Sequence, residues 1–192
     1  MNELKISKTA VKIPAEASLA SVLEQLDGFG AGVIVNVAPA ANGETILFTE
    51  ENLQALLEQG VNELHIETVA GEQYLEMVHH LATRLIEQVD ELRKRLRNYY
   101  VTDISEPVNN FLWQLQNVTS MLKCLVMRKQ WAPLADDVGT LTRLRGQLGE
   151  AALYFEDNAR CLDDLEFEIL PCLKKIIAKL SDFLRSSRGS RA

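Results

Sequence analysis

Hydrophobic positions fall into two regimes along this chain. From Glu72 to Tyr100, Leu75, Val78, Ala82, Leu85, Val89, Leu92, Leu96 and Tyr99 follow an unbroken 3-4 spacing, with no Gly or Pro between them. That spacing puts all eight on one side of a helix roughly 40 Å long. Such a helix is longer than a small sheet domain needs, so the pattern predicts packing against further helices. Matching stripes follow: Val108, Phe111, Leu115, Val118, Leu122 and Leu125; Leu134, Val138, Leu141, Leu144, Leu148, Ala152 and Phe155; and Leu173, Ile176, Ile177, Leu180, Phe183 and Leu184. Short connections after Tyr100 and around Gln130 to Pro133 predict antiparallel neighbours in a bundle of three to four helices. Gly139 and Gly146, seven residues apart, predict a close helix approach. Pro171 predicts a kink or boundary, and Ser105 a helix cap.

The first seventy residues alternate instead. LKISKTAVKI changes apolar phase between Ile6 and Val11, which predicts a strand with a bulge or break near Lys8. Ser18 caps a short helix carrying Leu19, Val22, Leu23 and Leu26, which Gly28 closes. Val33 to Val37 reads as a strand buried on both faces and central in its sheet. Asn42-Gly43 marks a hairpin, with Ile46 to Phe48 returning. Thr49 caps a second helix with Glu50 and Glu51 in its first turn, and Gly60 stops it. Leu64 and Ile66 alternate with Glu63, His65 and Glu67 in a half-buried strand. The expected class is α+β: an N-terminal βαββαβ module, ferredoxin-like or a similar small α/β sheet, followed by an antiparallel helical bundle. The expected domains are an acidic module at 1–70, a bundle at 71–186 and a disordered tail at 187–192.

Composition adds limits. Apolar residues make up 47% of 192, enough for a packed core. The apolar runs are too short to cross a bilayer, and the first residues lack the apolar stretch of a secretory signal, so a soluble, cytoplasmic protein without membrane contact is expected. Cys124, Cys161 and Cys172 are odd in number and form no CxxC pair, which reads as buried thiols. The net charge of −7 conceals an asymmetry: residues 13–91 hold fourteen acidic side chains and one basic one, Arg84. The cluster Arg93, Lys94, Arg95 and Arg97 suits the negative end of a helix dipole. Without a broad basic surface, nucleic acid is not an expected partner.

Candidate chemistry is sparse. Gly28, Gly30 and Gly32 end a helix and enter a strand, the reverse of a phosphate-binding loop. Glu76 and His79 have the Glu-x-x-His spacing of di-iron bundles, but a second pair is missing, and no structural zinc pattern occurs. No catalytic residue, cofactor or metal site is expected. In the heptad register His79 flanks the seam and His80 faces outward. The stretch HHLATRL resembles the phosphoacceptor helix of histidine phosphotransfer and kinase dimerisation domains over a handful of residues, and the resemblance implies His80 as the phosphoacceptor. The basic residue and glycine that usually follow that histidine are absent here. Apolar residues outside the main stripes are more informative: Leu81 and Ile86 on the first long helix, and Trp113, Met121 and Met127 (with Cys124) on the second. Helices apolar on more than one face have more than one neighbour, either other helices of the same chain or a second subunit or partner, and on the latter reading these five residues are the expected oligomer or partner interface. The expected function is a non-enzymatic, regulatory protein-binding protein that self-associates, as a homodimer, through coiled-coil-like helices. The alternatives are phosphotransfer through His80 and a secretion or assembly chaperone.

Overall fold

The computed structural model describes residues 6–14, 16–28, 32–41, 43–97, 105–153 and 158–189. It is α+β, a four-stranded antiparallel sheet with helices followed by a helical region. The chain forms two compact units, one of Met1–Leu75 with Lys123–Pro133 and one of Glu76–Leu122 with Leu134–Ala192.

In the first unit the elements run β1 (Ile6–Lys12), α1 (Leu19–Asp27), β2 (Gly32–Pro39), β3 (Ile46–Leu47), α2 (Glu50–Glu58) and β4 (Glu63–Ala70). The sheet order is β1-β4-β2-β3, with every neighbouring pair antiparallel. β1 and β2 flank β4, and β3 and β4 flank β2, so both helical connections are split βαβ units. β2 is central, as its β-branched run predicts, and Val33, Ile34, Val35 and Val37 are all buried. Local signals set the helix ends. Ser18 Oγ accepts from the Ser21 amide at 3.2 Å, and Thr49 Oγ1 accepts from the Asn52 amide at 3.2 Å. Gly60 adopts φ 75°, while its amide bonds to the Leu57 carbonyl and the Val61 amide to the Leu56 carbonyl. This double closure satisfies the last carbonyls of α2 and favours glycine, which has no Cβ to clash.

Two strand expectations need correction. β1 pairs with β4 over seven consecutive residues without a bulge. The phase change arises because Ile6 lies exposed on this edge strand while Val11 is buried. The irregularity sits in β2, between Ile34 and Asn36. The β2–β3 connection is a wider loop than a two-residue turn, since Val37 pairs with Ile46 and the Gly43 amide bonds to the Pro39 carbonyl. Asn42 and Gly30 lie outside the described residues.

The second part of the chain contains α3 (Gly71–Arg97), α4 (Ser105–Val126), a 3-10 turn (Lys129–Leu134), α5 (Ala135–Leu153), α6 (Asn158–Asp163), a π-helical segment (Asp164–Ile169) and α7 (Leu170–Gly189). β4 passes into α3 without a linker. Seven of the eight α3 stripe residues, Leu75 through Leu96, are buried; Tyr99 lies outside the described residues, as do the 101–104 connection and the side chains of Ser105, Ala152 and Phe155. Within the second unit α3 and α4 run antiparallel, since Gln88 Nε2 donates to Gln114 Oε1 at 2.7 Å and Arg95 and Pro107 line the same small cavity.

Two bundle expectations change, and a third is refined. A Cβ at Gly139 or Gly146 would meet nothing within 4 Å, so these glycines mark no close helix approach within the chain. Pro171 stands next to the boundary expected of it, where the π-helical segment passes into α7 at Leu170, and the chain stays helical across it. It has no N–H for the Phe167 carbonyl, and the preceding turn widens so that the Leu170 amide bonds five residues back to Leu165. The helix then reaches Gly189, inside the stretch expected to be disordered, and residues 190–192 lie outside the described residues.

Candidate interaction surface

The surface that stands apart lies on α4 in the second unit. From Pro107 to Leu122 the chain has no charged side chain. The buried side of this stretch is apolar, with Val108, Phe111, Leu115, Val118 and Leu122 all in the core. Its outer side carries Asn109, Asn110, Trp113 and Asn117 exposed, with Gln116, Ser120 and Met121 half-buried. Trp113 is 65% exposed. Gln116 Nε2 donates to Ser120 Oγ at 3.0 Å.

This composition is unusual for a solvated helix face. α3, in the same unit, fills its outer face with Glu76, Arg84, Glu87, Glu91 and Arg95, residues that favour helices and water alike. Asparagine is a poor helix former, and Trp113 leaves most of its large apolar surface in water. Absence of charge together with Trp and Met is the composition of a buried protein–protein contact. Off-stripe position identifies Trp113 in the sequence. The flanking amides lack that signal and emerge only from the charge-free window.

Of the other expected interface residues, Met121 belongs to this same face of α4 and the rest lie elsewhere. Leu81, Ile86 and Met121 are half-buried. Met127 packs against the apolar core of the sheet unit, beside Leu53 and Phe48 in the same cluster. Cys124, in that unit too, is fully buried, with Sγ 3.2 Å from the Phe48 carbonyl oxygen. Those two off-stripe residues are accounted for by their own unit.

His80 is exposed, as the register requires, one turn from exposed Glu76 and Arg84. His79 is half-buried, with Nε2 2.8 Å from Ser181 Oγ. The Ser181 hydroxyl donates to the Ile177 carbonyl at 2.9 Å, so Nε2 is the donor in the pair. With His79 so engaged and Glu76 exposed, the Glu-x-x-His pair does not converge on the bundle core. Among the described residues no group of three or more His, Cys, Asp or Glu side chains could hold a metal ion, and no helix is long and apolar enough to cross a membrane. The three cysteines are buried and none forms a disulfide. Burial pushes the Cys124 and Cys172 thiols up to about 11, which leaves both protonated and weakly nucleophilic near neutrality.

Two carboxylates order the helices of the second unit. Glu166, in the π-helical segment, pairs with Arg93 and, at 2.8 Å, with Arg97. The basic cluster at the end of α3 therefore has a partner beyond the helix dipole. Asp137, in the first turn of α5, is buried and receives Lys175 at 2.7 Å and Lys179 at 2.6 Å. Burial pushes its carboxyl up, but hydrogen bonds and charge from both lysines outweigh burial and hold it below the usual aspartate range. A depressed folded value means that the stabilisation is present above the unfolded value, about 3.9, and is lost as pH falls through the lower folded one. Asp137→Asn is therefore expected to lose about 1–2 kcal/mol at pH 7, because the lysine ends are partly in water, and the gap to wild type should narrow below about pH 4. Urea unfolding at pH 7 and pH 3 measures this. An equal gap at both would exclude the ion pair as its source.

No protein-family model matches the chain, and no match is found among characterised proteins or solved structures.

Proposed function

We propose that the protein is a non-enzymatic, cytoplasmic interaction protein that self-associates through its helical domain. The observation that carries this reading is the charge-free outer face of α4 with Trp113 at its centre. A face of this kind serves contact, since burying it against a matching surface removes apolar area from water at about 25 cal/mol per Å² and strands no charge. Three buried thiols without a disulfide suit a reducing compartment. The acidic sheet unit keeps the chain soluble.

Sedimentation velocity on the full chain from 1 to 100 µM is the test. The expected result is a concentration-dependent rise from monomer to dimer mass. A single monomer species throughout would reject self-association.

A further inference from the structure

The geometry points to a symmetric dimer in which two α4 helices cross antiparallel, with the two-fold axis at Trp113. This rests on the self-association proposed above and goes further by naming the occupant, its direction and its register.

The argument begins with the order of side chains about Trp113. Three positions away stand Asn110 on one side and Gln116 on the other, and four positions away stand Asn109 and Asn117. On a helix these flank Trp113 above and below on one face. A two-fold contact requires that when residue i meets residue j, j also meets i. In an antiparallel pair centred on Trp113, Asn109 meets the second copy's Asn117, Asn110 meets its Gln116, and the two indoles meet on the axis. Both flanking pairs are amide on amide, and an amide both donates and accepts, so each closes with its counterpart. The face is complementary to its own rotated copy.

Charge sets the direction. A parallel pair would place Glu106 against Glu106 and Lys123 against Lys123, two like-charge contacts. The antiparallel register places Glu106 opposite the second copy's Ser120. For a chain of net charge −7, the charge-free stretch is also where two copies meet with least repulsion. From Asn109 to Ser120 the face is only about 17 Å long, which puts the contact at the small, reversible end of specific interfaces. A micromolar dimer follows, and its affinity should change by less than about threefold between 50 and 500 mM salt, since no ion pair is screened.

The experiment uses full-length chains. Trp113→Lys sets two cations face to face on the axis, and because Trp113 is already exposed the variant should melt like wild type while remaining monomeric. Asn109→Cys and Asn117→Cys are then oxidised separately and as a mixture. The expected result is an intermolecular disulfide in the mixture and little in either variant alone. A dimer that survives Trp113→Lys, or Asn109→Cys linking to itself, would overturn the antiparallel register and leave self-association standing. A wild type that is monomeric at 100 µM would remove both.

Discussion

A fragment ending at Leu75 is expected to stay unfolded, although it carries all four strands and both helices of the sheet unit. The missing part is the segment 123–133, which belongs to the same compact unit. Arg128 is 5% exposed, its Nη1 donates to the Leu26 carbonyl at 2.9 Å and its Nε lies 3.5 Å from Asp27 Oδ1. It thus meets a carbonyl at the end of α1, where a cation is favoured by the helix dipole. Met127 packs on the apolar core of the sheet unit, Cys124 Sγ lies against the Phe48 carbonyl, and Trp131 is buried. Without them the fragment loses several buried side chains at about 2–3 kcal/mol each, from a domain whose size leaves only about 3–5 kcal/mol in hand. Circular dichroism should show no cooperative urea transition for residues 1–75, and adding a peptide of residues 120–135 should restore one. A cooperative transition for the fragment alone would show that the segment is dispensable.

The return of residues 123–133 was hidden from the sequence for a physical reason. The stripe from Val108 runs through Leu122 to Leu125 without a Gly or Pro, so periodicity reports one helix and says nothing of which unit each turn joins. Met127 and Trp113 give the same off-stripe signal, yet Met127 sits in the sheet core and Trp113 is exposed, a difference decided by tertiary packing. Features written in a few adjacent residues read well. The caps at Ser18 and Thr49 and the glycine stop at Gly60 follow from local geometry alone. Strand order does not, because it depends on pairings across the chain such as Ile6 with Val69 and Val37 with Ile66. The π-helical segment before Pro171 is intermediate: the missing N–H is legible, but the widened turn that answers it, with Leu165 and Ile169 both buried, is not.

The other large effect lies in α3. Leu85→Ala is expected to destabilise the helical unit by about 2–5 kcal/mol, whereas Ile86→Ala, its neighbour in the chain, should change it by less than about 1 kcal/mol. Leu85 is 1% exposed, one turn from Ala82 and Val89, each fully buried. Ala82 is already small, so truncating Leu85 leaves two adjacent turns without bulk, and the cavity cannot be filled from within the helix. Ile86 is half-buried, so it loses less apolar contact, and the better helix propensity of alanine offsets part of that loss. The helical circular dichroism signal in urea, with slopes compared as well as midpoints, separates the two because most of the helix lies in this unit. Equal losses would place the seam between Leu85 and Ile86 and displace the 3-4 register on which the bundle was read. With Leu85 alone sensitive, the heptad face is committed to the bundle interior. The self-association proposed above would then use another surface, and the charge-free face of α4 is the one whose composition suits it.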